Sequence, residues 1–146
     1  FRWPGVALEV KATTALEGMS MRIHGLAQLD PTATAADVRL AGVRLVEEPD
    51  GTTVPESVER LLPRFDRRAF LGRLDERGYR HDPAEGGDWV RLAVRSIDVW
   101  RITDDTPRLH PGLLPTGWSD AITGVEYSID AAALGSPMTE EDSPWA

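Results

Sequence analysis

The run Val6-Ala7-Leu8-Glu9-Val10-Lys11-Ala12-Thr13-Thr14 has the period of a strand and sets two charges into it. Side chains alternate across a strand, so Glu9 and Lys11 share one face while Leu8, Val10 and Ala12 take the other. Lys11 is the chain's single lysine; fifteen arginines carry the remaining formal positive side-chain charge. A carboxylate and an ammonium two residues apart are, on spacing alone, an ordinary pair on a solvated strand face. They are also the smallest set of side chains with which a protein can hold a divalent metal and orient water for phosphodiester hydrolysis.

The 146 residues, 41% of them apolar, suffice for one domain with a real core. No run approaches the eighteen or so apolar residues of a membrane span, and no secretory leader is present, so the chain reads as cytoplasmic. Without cysteine it has no disulfide and no thiolate-bound metal. The formal net charge of −8 argues against a surface that grips nucleic acid broadly, though not against a local basic cleft. His24, His81 and His110 are too scattered for a zinc site. No Gly-rich phosphate loop or nucleophile elbow occurs.

Alternation resumes at Met19-Ser20-Met21-Arg22-Ile23-His24, with Met19, Met21 and Ile23 on one face. Two strand-like runs separated by Gly18 predict a β-hairpin; pairing Thr14 with Met19 sets Lys11 opposite Arg22 and Glu9 opposite His24. Asp30-Pro31 opens a loop. Val38 to Glu48 reads as a strand ended by an Asp50-Gly51 turn. Pro55 starts a helix with Val58, Leu61 and Leu62 as its apolar stripe, and Pro63 ends it. Asp66 caps a second helix that turns Phe70, Leu71 and Leu74 inward and closes at Gly78.

After a Gly86-Gly87 turn, Trp89 to Ile102 is strand-like, with alternation that falters at Ser96-Ile97. A Pro/Gly-rich loop spans Thr106 to Gly117, Thr123 to Ile129 is a last strand, and Asp130 to Leu134 a short helix. Trp89, Trp100 and Trp118 read as core or edge anchors. The arginines at 60, 64, 67, 68, 73, 77 and 80 read as a solvated helix face with local ion pairs, or as phosphate contacts. The element pattern is that of a mixed α/β or α+β domain over residues 1–135, followed by an acidic tail over 136–146.

The strand Ala7 to Thr14 is followed in order by Ile23-His24-Gly25-Leu26-Ala27-Gln28-Leu29-Asp30, Thr53-Val54-Pro55-Glu56-Ser57-Val58, Phe70-Leu71 with Leu74, Gly78-Tyr79 and Gly124-Val125-Glu126-Tyr127-Ser128-Ile129-Asp130. This ordered set resembles the PD-(D/E)XK nuclease superfamily, and within it a bacterial family of PD-(D/E)XK motif proteins from restriction and phage-defence settings. The resemblance implies a restriction-endonuclease-like core, a central mixed sheet flanked by helices. It implies a DNA endonuclease using magnesium or manganese, with Glu9 and the Val10 carbonyl as metal ligands and Lys11 positioning the attacking water. Gln28, His24 and Arg108 are accessory candidates. Read from the residues, Gln28 is also a turn amide, His24 a surface histidine, and Arg108 a phosphate contact or a structural ion pair.

The family pattern sets an Asp just upstream of the Glu-x-Lys strand, and no acidic residue lies between Phe1 and Val6. The expectation is therefore a fragment lacking its first helix and the segment that bears the Asp. The alternative reading is a nuclease-fold scaffold without catalysis, holding partner proteins of a defence complex.

Overall fold

The computed structural model describes residues 2–3, 5–34, 37–80 and 87–139. The sequence features at His81, at Gly86 and at residues 140–146 lie outside them. The described residues form a mixed α+β structure, compatible with a restriction-endonuclease-like fold. The chain divides into two compact units, Val46–Ala93 and the remainder.

The larger unit holds the strand read first in the sequence. β1 (Arg2–Trp3), β2 (Val6–Thr13), β4 (Asp37–Thr52) and β5 (Leu92–Arg101) form one sheet in the order β1-β2-β4-β5. β2 runs antiparallel to β1 and parallel to β4, so the sheet is mixed. β3 (Ser20–His24) and β6 (Glu126–Asp130) make a separate antiparallel pair with Ile23 opposite Tyr127 and His24 opposite Glu126.

The two layers meet through one cluster: Ala7, Val38, Leu40, Trp100 and Ile102 with Met19, Met21, Ile23, Leu29 and Ile129. Burial at about 25 cal/mol per Å² of apolar surface makes such an interface the main stabilising contribution of the unit. Gly42 fits the same face by close approach: a Cβ there would fall on Met19 Sδ and come within 3.1 Å of Trp100 Cζ3 and 3.3 Å of Met21 Sδ. The other face of the large sheet carries a smaller cluster of Leu8, Ala41 and Val99, with Met138 against it.

These pairings correct the hairpin. β3 does not pair with β2; its partner is β6, more than a hundred residues on. The stripe of Met19, Met21 and Ile23 is buried by lying over the face of the sheet, which an edge pairing in the same sheet would not allow. Arg44 fixes the crossing by donating to the carbonyls of Ala15 at 2.5 Å, Gly18 at 2.7 Å and Leu16 at 3.4 Å.

Three smaller expectations also change. Asp50-Gly51 is not a turn, for β4 continues to Thr52. Gly51 instead lets the backbones close up, since a Cβ there would sit 2.8 Å from the Leu92 carbonyl. The loop expected after Asp30 begins with a single helical turn, α1 (Pro31–Thr34), because Asp30 caps it through the Thr32 N–H at 2.9 Å. Trp118 is exposed rather than an anchor, whereas Trp100 is buried with its Nε1 donating to the Gly135 carbonyl at 3.1 Å.

β5 is continuous through Ser96-Ile97. Its broken alternation reflects burial on both faces at one end, Val99 against Leu8 and Ala41, Trp100 against the main cluster. The short helix after β6 is a 3-10 turn, Ala131–Leu134, capped by Asp130. A further turn of helix, α4 (Trp118–Ala121), follows Gly117.

In the smaller unit, α2 (Val54–Leu61) begins with a reciprocal cap. The Glu56 N–H donates to the Thr53 hydroxyl and the Thr53 N–H donates to the Glu56 carboxylate. A 3-10 turn, Leu62–Arg64, carries the chain past Pro63. α3 (Arg67–Asp75) starts at Asp66, which accepts from the Ala69 N–H at 2.8 Å, and closes through Gly78 at φ +84°. Arg91 ties the unit together, reaching the Gly51 carbonyl at 2.6 Å and Glu56 Oε1 at 2.7 Å. No helix among the described residues is long and apolar enough to cross a membrane.

Candidate functional site

The parallel register sets Ala7 beside Val38, Glu9 beside Leu40 and Lys11 beside Gly42. Since Ala7, Val38 and Leu40 belong to the main core, Glu9 and Lys11 lie on the core-facing side of β2, where the apolar contact runs out. Their side chains are 25% and 16% exposed, too covered for a casually solvated pair. Lys11 Nζ lies 2.8 Å from Glu9 Oε1.

Gln28 joins them from the turn after β3. Its Oε1 accepts the His24 backbone N–H at 2.8 Å and the Lys11 ammonium at 3.4 Å, while its Nε2 donates to Glu9 Oε1 at 2.8 Å. Only one orientation of the amide satisfies both neighbours, because the N–H needs an acceptor and the carboxylate a donor. Gln28 is thus both the turn amide and the residue that touches the charged pair.

The other accessory candidates lie elsewhere. His24 contributes its backbone; its side chain takes the exposed face of the β3–β6 pair and sits 3.1 Å from Glu126, which Arg22 also approaches at 3.5 Å. This corrects the register that set His24 opposite Glu9. The Arg108 side chain is 5% exposed and serves the turn before it, donating to the carbonyls of Thr103 and Thr106 and pairing with Asp104 at 3.6 Å. Of the sequence alternatives, that is the structural one. Near it, burial raises the Tyr127 phenol above its ordinary value, opposed by the Leu109 carbonyl contact and the Arg108 charge.

The site holds oxygen donors, which suit a hard cation, and every contact of Glu9 uses Oε1. Oε2 has no protein partner among the described residues. No group of three His, Cys, Asp or Glu side chains among them could enclose an ion. The donor set therefore fits magnesium held by one carboxylate together with waters and phosphate oxygens, and does not fit a cage made by protein alone.

Asp30, buried at the end of the same turn, is a second carboxylate that sequence reading passed over. Burial would raise it, but hydrogen bonds from the Thr32 hydroxyl and from the Thr32 and Ala33 backbone, with the His110 charge, hold it below its ordinary value. The signal was local: Asp followed by Pro and Thr is a helix start. Arg44 was also passed over, because a strand arginine gives no hint of the loop it will staple.

Residues 1–132 match the family described as "Putative PD-(D/E)XK family member (DUF4420)". The chain belongs to that family. No match was found among curated proteins or solved structures. Membership in a PD-(D/E)XK family suggests a nuclease-like domain.

Proposed function

We propose that this PD-(D/E)XK chain is a divalent-metal-dependent DNA phosphodiesterase domain, of the kind used in restriction or phage defence. The observation that carries the reading is the half-buried cluster of Glu9, Lys11 and Gln28, built on one strand and a turn and held by an ion pair and hydrogen bonds. Glu9 Oε2 and the Val10 carbonyl would hold the metal. When bound, magnesium or manganese would supply charge neutralisation at the phosphate and a more acidic water.

The chain's own part is positioning. Lys11 donates to the attacking water and to the phosphate oxygen that gains charge, and its contacts with Glu9 and Gln28 hold that donor in place. Gln28 holds the Glu9 carboxylate by one oxygen, which orients the other. Hydrolysis forms a bond from the water oxygen to phosphorus and breaks the phosphorus bond to the sugar oxygen. That oxygen gains a proton as the water loses one.

One observation favours a second reading, a nuclease-fold scaffold for defence partners. Lys11 already has two protein partners, and no group of three His, Cys, Asp or Glu side chains among the described residues could hold an ion. Incubation with plasmid and linear DNA plus magnesium or manganese, with Lys11→Ala and chelator controls, separates the two. Cleavage that both controls abolish supports the nuclease. Metal-independent cleavage, or cleavage unchanged by Lys11→Ala, refutes the assignment of these residues.

A further inference from the structure

Between residues 60 and 80 the chain carries seven arginines against three carboxylates, a local surplus of four in a chain of formal net charge −8. Local ion pairs would make this an ordinary solvated helix face. They are largely missing. Arg80 approaches Asp75 at 3.6 Å, but Arg60, Arg64, Arg67, Arg68, Arg73 and Arg77 have no ion pair or side-chain hydrogen bond among the described residues. Asp66, at the centre of the group, is engaged as the cap of α3.

The same segment shows an apolar group to solvent. Phe65 is 56% exposed between Arg64 and Arg67, and its ring stacks on Phe70 with centroids 5.3 Å apart and planes 17° from parallel. α3 has no buried residue. A rigid, exposed aromatic flanked by uncompensated arginines matches how proteins hold a nucleic-acid strand, cations along the backbone and a ring against a base.

We propose that the turn Arg64–Arg68 and the arginines around it form a DNA-binding surface of the smaller unit. Arg64, Arg67 and Arg68 contact phosphates there and Phe65 meets a base. The proposal rests on the reading of the chain as a DNA enzyme and adds the element that holds the substrate. Charge complementarity selects the occupant, since a surface of unpaired guanidinium groups in an acidic protein fits a polyanion.

The test is fluorescence anisotropy of the full chain with labelled single-stranded and duplex DNA in a chelator, so that binding is read without cleavage. The variants are Arg64→Ala/Arg67→Ala/Arg68→Ala, Phe65→Ala, and a control, Arg22→Ala/Arg95→Ala, drawn from exposed strand positions. Far-UV circular dichroism checks that each folds.

The triple variant is expected to bind at least about tenfold more weakly, with a salt slope shallower by about 2 to 3 on duplex DNA. Phe65→Ala is expected to lose more on single strands than on duplex. The control is expected to stay within about twofold. Unchanged binding by the triple variant, an equal loss in the control, or no DNA binding by the unaltered chain overturns the proposal. Arginine-dependent binding, together with no cleavage when magnesium or manganese is added, would support this surface while refuting the nuclease reading alone.

Discussion

Gln28 donates to Glu9 Oε1 at 2.8 Å across a separation of nineteen residues, and its other end accepts the His24 N–H at 2.8 Å. One amide thus couples the turn after β3 to the charged strand β2. Replacing Gln28 with Ala leaves that N–H without its acceptor and the carboxylate held by Lys11 alone, at a cost of about 1 kcal/mol in stability. If Glu9 must be oriented for catalysis, cleavage should fall by roughly tenfold or more, since small misplacements are costly in rate. Plasmid nicking rates beside a urea denaturation curve check both. A normal rate in the Ala variant would leave Gln28 a turn residue only.

Lys11→Ala removes one donor from a pair that is partly exposed, so the stability change should be small, within about 1 kcal/mol. The rate loss should be large, about 10²-fold or more, as for other positioned donors to a developing charge. Thermal unfolding and DNA cleavage, measured on one preparation, give the two numbers. A large loss of stability with little loss of rate would mark Lys11 as structural.

Gly42→Ala tests the packing of the two layers beneath this pair. Its Cβ would fall on Met19 Sδ, with Trp100 and Met21 close behind, in a core with no spare room. The expected destabilisation is about 1–3 kcal/mol, read from the denaturant midpoint. No shift would mean that Met19 simply swings aside.

What could be read in advance was whatever depends on neighbours in the chain. The strand at Glu9 and Lys11, the Met19-Met21-Ile23 stripe, the caps of α2 and α3 and the final 3-10 turn all follow from local periodicity or local hydrogen bonds. Strand partners do not. Nothing near Gly18 signals that β3 will leave for Glu126–Asp130, or that β2 will take Asp37–Arg44 as a parallel neighbour. The candidate site divides the same way. The pair on one strand is legible, whereas the orientation of Gln28 depends on where β3 crosses. Asp50-Gly51 misled for a related reason, because glycine marks a close approach as readily as a turn.

Asp30 predicts an acid dependence of stability. Its pKa is lower in the folded chain than the ordinary value of 3.8, so the folded state binds fewer protons and stability rises with pH across that interval. The contribution is complete above the unfolded value and is lost as pH falls through the folded one. Urea midpoints between about pH 3 and 6 should therefore drop more steeply at the acid end for the unaltered chain than for Asp30→Asn. Parallel curves would show that the Thr32 cap does not favour the charged form.

The pair of charges on β2 makes opposite predictions for metal affinity and for rate. Lys11 lies 2.8 Å from Glu9 Oε1, where a cation competes with a metal for the same carboxylate. Lys11→Met should then bind manganese more tightly than the unaltered chain while cleaving DNA far more slowly. Glu9→Gln should lose both, because a neutral amide is a poorer ligand for a hard cation. Manganese titration followed by electron paramagnetic resonance reads affinity without any turnover. Tighter binding in the first variant and loss in the second would separate Glu9 as ligand from Lys11 as donor. Equal weak binding in all three chains would make the pair a structural ion bridge, and favour the scaffold.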